Sequence, residues 1–549
     1  MTETSWTGPE VAALRHRTEV WIADDPDPVS RAELQNVLAG LPATVDDLAD
    51  RFAGPLTFGT AGLRGPVRAG PNGMNRAVVR AAAAGLCAHL DDRGAAGPVV
   101  IGYDARRGSA DFAAETAAVV TGAGRAALVL PRPLPTPVLA YAVRRLEAAA
   151  GVMVTASHNP PADNGYKVYL ADGGQIVPPA DREIEARIRA VETLAAVPLG
   201  TAAQQVDERL IDEYIAATVA AVMGSDASRR GALRVAYTPL HGVGRDVLVR
   251  AFEAGGFAAP AVVESQAEPD PAFPTVAFPN PEEPGAVDEL VALASSIGAD
   301  IAIANDPDAD RCAVAVPSAA GWRLLHGDEV GVLLADALLR RGVKGTYATT
   351  IVSSSLLSTL APARGARAAE TLTGFKWIVR AADDLAFGYE EALGYAVAPD
   401  VVRDKDGIGA ALAVADLAAS LKADGRTLTD RLDELAVEFG LHATSQLSVR
   451  VSDPGEITAA MARIRAEVPA TLLGRALTEV HDRLPSADVL TLRAPGVRVV
   501  VRPSGTEPKL KAYLEVVEPV SAGVSAARAA AADHLTALRA EVAAALGLD

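Results

Sequence analysis

Apolar runs and amphipathic stretches alternate along most of the chain, and the period of each run decides its element. Residues 1 to 55 are acidic and helix-like, interrupted at Pro26, Pro28 and Pro42, where a helix cannot continue. The next stretch, LTFGTAGLRGPVRAGPNGMN at 56–75, is punctuated by glycine and proline and reads as a structured loop. From 77 to 170, helical segments separate the apolar runs VVIGYD, AALVLP and GVMVTA. Strands alternating with helices imply βαβ units and a largely parallel sheet.

A polar, proline-containing segment around 192 to 206 marks a boundary, after which the alternation resumes. A helix at 207–223, LRVAYTPL, a helix at 244–255 and AAPAVV precede a proline-rich loop at 267–284, a helix at 285–297 and ADIAIAND. A third alternation, from about 321 to 440, sets TYATTIV, TLTGFKWI and GYEEALGY between helices at 328–341 and 407–422. The last region differs, with strand-like SQLSVRV, LRAPGVRVVVRPSG and LKAYLEVV before an alanine-rich terminal helix. The expectation is an α/β protein of four domains. Three are βα domains with mixed sheets, at 1–205, 206–320 and 321–440, and a smaller α+β domain spans 441–549.

A length of 549 residues suits several cores rather than one. Aromatic residues make up only 4% of the chain, so small aliphatic side chains must do most of the packing. The formal net charge of −18 argues against nucleic acid or an anionic membrane as main partner. It leaves room for a small phosphate-bearing substrate, because a local cluster of Arg and Lys overrides the global field. Two cysteines, Cys87 and Cys312, cannot build a disulfide framework or a cysteine zinc site. MTETSWTGPEV has no basic-then-apolar leader, and no uncharged apolar run approaches the ~18 residues of a membrane span. A soluble cytoplasmic protein is expected.

The candidate chemistry centres on GVMVTASHNPPADNGYKVYL, 151–170, where a strand enters a tight polar loop and a second strand-like run leaves it. Ser157 and His158 lie in the loop and Lys167 follows ten residues after the serine. A hydroxyl, an imidazole and an ammonium on a strand-held loop suit group transfer. Gly122 and Gly124 in TGAGRAA mimic a dinucleotide fingerprint, but they follow a helix instead of a strand, so a helix C-cap is the better reading.

Residues 306–311 read DPDADR after an apolar strand, where a βα loop would leave the sheet. Three carboxylates so close together repel unless a cation neutralises them, and oxygen-only ligation suits a hard ion such as Mg²⁺. An EF-hand fails, because Arg311 and Pro317 stand where Gly and Glu are needed; the bland alternative is a solvated turn. Toward the C-terminus, VRPSGTEPKLK places Arg502, Ser504, Gly505 and Thr506 in one short turn, with Lys509 and Lys511 beyond. A guanidinium, two hydroxyls and a flexible amide can cradle a phosphate, although such residues also favour plain turns. Arg64 and Arg68 in the 56–75 loop, Lys376 in TLTGFKWI, and Glu390 and Glu391 in GYEEALGY complete the polar loops. Together the pieces describe a phosphoryl-transfer site, which depends chiefly on positioning and charge neutralisation.

These motifs resemble those of the α-D-phosphohexomutase superfamily, the phosphoglucomutases and phosphomannomutases. TASHNP resembles its serine loop, DPDADR its metal loop, GYEEALGY its sugar loop and RPSGTEPK its phosphate loop, in family order. The wording of GTAGLRG, TPLHGVG and TGFKWI is similar to the branch that also includes phosphopentomutases. The resemblance implies four domains around a central cleft, with Ser157 carrying a phosphoryl group. It implies Mg²⁺ held by that phosphoserine with Asp306, Asp308 and Asp310, and a sugar bisphosphate of the glucose 1,6-bisphosphate type as intermediate and activator. Lys167 and His158 match positions of acid–base work, and Arg64 and Arg311 match positions near the transferred group. Glu390 matches the sugar loop and Lys376 stands beside it as a substrate-binding candidate, while Arg502, Ser504, Gly505, Thr506 and Lys511 match the cradle of the phosphate that is not reacting. The implied reaction moves phosphate between C1 and C6 of glucose, with mannose phosphates as further substrates, in a monomer or homodimer. The sugar loop of many hexomutases reads Glu-x-Ser, whereas Ala392 stands here, and Tyr395 replaces a histidine of some relatives. A pentose phosphate therefore stays open as substrate. A serine-dependent phosphatase would share the serine and the metal but has no use for a second phosphate cradle. A non-catalytic sugar-phosphate binder would not need Ser157 and three metal carboxylates together.

Overall fold

The computed structural model describes residues 6–59, 62–319, 321–451, 453–504 and 509–547. The chain forms two compact units, one of Met1–Leu325 with Gly394–Ser420 and the other of His326–Leu393 with Leu421–Asp549. The unit boundary thus passes through the 321–440 segment.

In the first unit, helices Gly8–Asp24, Pro28–Ala39 and Val45–Arg51 close a small core of Leu14, Leu34, Leu48 and Phe52. The prolines at 26, 28 and 42 fall between or at the start of these helices, as their missing N–H groups require. A six-stranded mixed sheet follows, in the order Leu63–Pro66, Asp163–Leu170, Ala150–Val154, Val99–Tyr103, Ala127–Val129, Gln204–Gln205. Val99–Tyr103 pairs in parallel with both Ala127–Val129 and Ala150–Val154. Helices Arg76–Asp92, Ser109–Gly122 and Thr136–Arg145 cover it, and Val99, Ile101, Val152 and Val154 fill the core beneath the first two. Gly124, with φ +78°, follows the helix Ser109–Gly122, as a C-terminal stop should.

Two features depart from the sequence reading. The sheet is mixed, as expected, but its antiparallel part reaches further toward the N-terminus than the sequence reading placed any strand: Asp163–Leu170 returns antiparallel to Ala150–Val154, and Leu63–Pro66 runs antiparallel to it in turn. The stretch around Arg64, read as loop, is therefore an edge strand. In the second sheet, Val235–Thr238 and Ile301–Ala304 are parallel, but DPDADR leads into the strand Ala313–Ser318, antiparallel to Ile301–Ala304. DPDADR is thus a ββ connection and not a βα loop. The β-favouring run AVAV after Cys312 pairs back at once, and the next helix begins only at Gly327. AAPAVV keeps just Ala261–Val262 as strand, because Pro260 has no N–H for the ladder.

In the second unit, Arg367–Thr371, Thr346–Thr350 and Leu385–Glu390 pair in parallel. The C-terminal part is a five-stranded antiparallel sheet, ordered Leu441–Arg450, Lys509–Glu518, Val497–Pro503, Leu490–Ala494, Glu479–Asp482. The helix Val524–Leu546 packs Leu538, Val542 and Leu546 against its inner face. Among the described residues, no helix is long and apolar enough to cross a membrane. Cys87 and Cys312 are buried free thiols.

Candidate active site

The strand Ala150–Val154 delivers Ser157, and the returning strand Asp163–Leu170 delivers Lys167 opposite Met153. Ser157 has φ +52°, a left-handed conformation that a residue with a Cβ adopts only when its surroundings impose it. One guanidinium makes most of the contacts that hold the loop. Arg106 donates to the carbonyls of Ser157 at 2.5 Å, Asn159 at 2.6 Å, Pro160 at 2.8 Å and Asp163 at 3.1 Å. Asp104 lies 3.5 Å from Arg106, and the Ser157 N–H donates to Thr155 Oγ1 at 2.9 Å. The serine is therefore held on a loop fixed from inside.

Asp306, Asp308 and Asp310 are wholly buried, and each offers an oxygen within 4.8 Å of the others. Ala309 between them is also left-handed, at φ +52°. Asp306 Oδ2 accepts the Ser157 hydroxyl at 2.7 Å, and its Oδ1 accepts the Arg311 N–H at 3.0 Å. Asp308 Oδ2 accepts from Thr136 Oγ1 at 2.6 Å and Lys167 Nζ at 2.7 Å. Asp310 Oδ2 faces Lys167 Nζ at 2.9 Å and Lys405 Nζ at 3.1 Å. Asp308 Oδ1 and Asp310 Oδ1 are left buried with no hydrogen-bond partner. Orphaned buried carboxylate oxygens are costly, and a cation answers that cost. With only oxygen donors present, the residues fit a hard divalent ion.

The charge state follows the same crowding. Burial, with Asp308 and Asp310 adjacent, holds Asp306 well above the usual carboxylate range. Burial is the largest influence at Asp308 and Asp310 and would raise both, but Lys167 with the Thr136 hydroxyl at the first, and Lys167, Lys405 and Arg311 at the second, together outweigh it, and both end lowered. Burial works against a charged Lys167, yet Asp308 and Asp310 overcome it and its pKa is raised. Burial, aided by Arg311 and Arg64, pushes His158 well below the usual imidazole range; its Nδ1 lies 3.2 Å from Ser157 Oγ. Arg64, opposite Gly165 in the edge pairing, donates to Asn159 Oδ1 at 3.0 Å. Arg311 Nε lies 3.9 Å from Asp306 Oδ2 and 4.0 Å from Asp310 Oδ1. The first unit thus gathers Ser157, His158, Lys167, Arg64, Arg311 and the three aspartates.

Sequence reasoning overlooked Arg106, Thr136 and Lys405, which hold this cluster. Each had only a faint signal: Arg106 in YDARRGS just past a strand, Thr136 in PLPTP at a helix start, and Lys405 in RDKDGIG. Gly407 in the last motif seats its helix on the metal loop, where a Cβ would collide with the carbonyl oxygens of Arg311 and Ala309. Arg68 does not join the site; it pairs with Asp50 at 2.6 Å and donates to the Asn72 carbonyl.

In the second unit, Glu390 ends the strand Leu385–Glu390 and is not in a free loop. Glu391 beside it accepts from Ser353 Oγ at 3.1 Å and Thr350 Oγ1 at 3.3 Å. Burial, with Glu390 and Asp328 near, pushes Glu391 up to about 7. Tyr513 feels both Glu391 and Glu390 and is hydrogen-bonded by Arg502, so the glutamates and Arg502 share a neighbourhood. Arg502 and Lys511 are register partners on adjacent strands, and Ser504 follows, its N–H bonded to the Lys509 carbonyl at 2.7 Å. Gly505 and Thr506 lie outside the described residues. Lys376 sits in the short helix Phe375–Ile378 with its ammonium 5.9 Å from the Trp377 ring centroid. Tyr395 is fully buried in the first unit.

Family models agree with this arrangement along the chain. The α/β/α domains I, II and III of phosphoglucomutase/phosphomannomutase match residues 55–195, 212–320 and 326–439, and the C-terminal domain matches 446–532. A "Probable phosphomannomutase" of Haemophilus influenzae is 46% identical over 81% of this chain and 93% of its own length. A phosphopentomutase of Mus musculus is 35% identical over 92% of this chain and 91% of its own. A glucose 1,6-bisphosphate synthase of Homo sapiens is 32% identical over 90% and 89% respectively. Among solved structures, a candidate phosphomannomutase from Thermus thermophilus superposes with a TM-score of 0.70 at 27% identity, covering 88% of this chain and 99% of that one. A left-handed serine bonded to a buried aspartate triad, within four matching domains, places this chain in the phosphoglucomutase/phosphomannomutase family, whose members are phosphosugar mutases, isomerases that act by phosphoryl transfer.

Proposed function

We propose that the chain is a Mg²⁺-dependent phosphohexomutase that carries a phosphoryl group on Ser157 Oγ. It interconverts glucose 1-phosphate and glucose 6-phosphate, and acts on mannose phosphates with them. The observation that carries this reading is the 2.7 Å bond from Ser157 Oγ to Asp306, beside two aspartate oxygens without partners. Asp306, Asp308 and Asp310 would hold the metal together with the phosphorylated serine. Bound there, a divalent ion neutralises charge on the oxygens of the transferring group.

The rest is work for side chains. The free hydroxyl of the sugar monophosphate attacks phosphorus on Ser157; the serine O–P bond breaks, a sugar O–P bond forms, the hydroxyl proton passes to the neutral His158, and the charged Lys167 gives a proton to the departing Ser157 Oγ. Arg64 and Arg311 balance charge on the moving group. The bisphosphate then turns, Ser157 Oγ attacks its other phosphorus, and the departing sugar oxygen regains a proton. In the second unit, Glu390 accepts from sugar hydroxyls and Lys376 adds charge. Arg502, Ser504, Gly505, Thr506 and Lys511 take the phosphate that is not reacting. Glucose 1,6-bisphosphate primes the unphosphorylated enzyme. We expect a cytoplasmic monomer or homodimer.

A phosphopentomutase is the second reading. It is favoured by the similarity to the Mus musculus phosphopentomutase over 92% of this chain and by Ala392 where many hexomutases carry serine. Coupled assays with glucose, mannose and ribose 1-phosphates, Mg²⁺ and glucose 1,6-bisphosphate decide between them. The first reading expects the highest kcat/KM with glucose 1-phosphate. A preference for ribose 1-phosphate transfers the assignment to the second, and no turnover with any of the three refutes both.

A further inference from the structure

Asp308 and Asp310 each have one oxygen that already faces two donors and so cannot offer both oxygens to a metal without losing a bond. The case is sharpest at Asp308. Its Oδ2 receives two donors, Thr136 Oγ1 at 2.6 Å and Lys167 Nζ at 2.7 Å, while its Oδ1 is buried with none. Thr136 also donates its backbone N–H to the Asp308 carbonyl at 2.9 Å. It therefore grips the aspartate at main chain and side chain from a helix 172 residues away in sequence. Thr136 is itself fully buried and stands between Pro135 and Pro137, which narrow the backbone available to it. The hydroxyl cannot swing off Asp308 at low cost.

We propose that Thr136 is a positioning residue that confines Asp308 to one-oxygen ligation, and that this confinement makes the site prefer a small octahedral ion over Ca²⁺. The inference rests on the metal reading of the triad given above. Mg²⁺ demands near-octahedral geometry at about 2.0–2.1 Å, whereas Ca²⁺ takes about 6–8 oxygens and commonly draws both from a carboxylate. A carboxylate turned edge-on by a neighbouring hydroxyl can serve the first and is a poor ligand for the second. Lys167 and Lys405 impose the same limit on Asp310 through its Oδ2, so Thr136 completes a set of clamps.

The test is Mn²⁺ binding to the full chain, followed by the electron-spin resonance of the free ion, with Mg²⁺ and Ca²⁺ as competitors. Thr136→Val keeps the shape and removes the hydroxyl; Thr136→Ser keeps the hydroxyl. The Val variant should bind Mn²⁺ roughly 10-fold more weakly or worse, the usual scale for losing an outer partner of a ligand. Ca²⁺ should compete better against Mg²⁺ in it than in wild type, and Ser should restore both properties. If wild type binds no Mn²⁺, the metal reading itself falls. If wild type binds and Thr136→Val matches it in affinity and in the Ca²⁺/Mg²⁺ ratio, the metal reading stands and the role of Thr136 is overturned. A crystal structure of wild type with Mn²⁺ gives an answer that does not depend on the variant folding. Ligation by Asp308 Oδ1 alone, with Oδ2 still on Thr136, supports the proposal, and two-oxygen ligation by Asp308 overturns it.

Discussion

Replacing Arg106 should loosen the serine loop without unfolding the rest of the chain. Arg106→Met keeps length and apolar bulk but removes a donor that four carbonyls share, those of Ser157, Asn159, Pro160 and Asp163. It also leaves Asp104, buried and 3.5 Å away, without its cation. Bonds from a charged donor contribute about 1.5–3 kcal/mol each, and breaking a buried ion pair costs about 3–5 kcal/mol. Asn159 and Pro160 are only half-buried, so water replaces part of the loss there. The contributions share one donor and do not add, so the buried ion pair sets the scale, and the net effect on local opening of the loop is about 3–4 kcal/mol, or roughly 10²–10³-fold in an opening equilibrium. Hydrogen exchange reads this directly at three amides. Ser157 N–H donates to Thr155 Oγ1, Asn159 N–H to the Ala156 carbonyl and Asp163 N–H to the Pro160 carbonyl. All three should exchange faster by that factor in Arg106→Met, while amides of the helix Val524–Leu546 keep their wild-type rates. Arg106→Lys should fall between, because a single ammonium cannot reach four acceptors as a planar fork does. Exchange at the three amides within about threefold of wild type, less than ~1 kcal/mol, would refute the idea that one guanidinium fixes the loop.

Gly407→Ala should lower the melting temperature by several degrees and weaken metal binding, since its methyl meets the Arg311 and Ala309 carbonyls and overpacking costs about 1–3 kcal/mol. Gly231→Ala, with open space around the new methyl, is the control, and equal melting temperatures for the two variants would contradict the packing argument. Glu391 gives a pH prediction. Its folded value, about 7, lies above its ordinary 4.5, so the folded state binds the proton more tightly. Its contribution is complete below the ordinary value and is lost as pH rises through about 7. Glu391→Gln removes that dependence and should gain about 2 kcal/mol over wild type between pH 5 and pH 8.5, discounted for partial exposure. A variant-minus-wild-type melting difference that is the same at both pH values would refute it.

The parts legible in the sequence are those whose chemistry is contiguous. DPDADR points to a cation site because three carboxylates lie within five residues, and the fold does bury the three within reach of one ion; RPSGTEPK suggests an anion site for the mirror reason, an expectation whose Gly505 and Thr506 lie outside the described residues. Strand positions such as GVMVTA and LKAYLEVV follow from composition and period. Pairing direction does not, which is why DPDADR, expected in a βα loop, turns out to join two antiparallel strands. The supports of the site were illegible for a related reason. Thr136 meets Asp308 across 172 positions, and Arg106 meets the serine loop across more than fifty. Neither belongs to a local pattern, and only the folded chain brings them together. Ala309 and Ser157 carry left-handed backbone with no glycine to advertise it, since the strain is imposed by tertiary contacts rather than by residue type.

The central claim is that Ser157 carries the phosphoryl group between turnovers. Its most direct test is mass spectrometry of the protein after incubation with Mg²⁺ and glucose 1,6-bisphosphate, with the phosphate mapped to a peptide. Wild type should hold one phosphate on Ser157 and lose it on addition of glucose 1-phosphate. Ser157→Ala should hold none while keeping the wild-type melting temperature. A wild-type chain that takes up no phosphate, or a Ser157→Ala chain that still turns over sugar phosphate, would contradict the account.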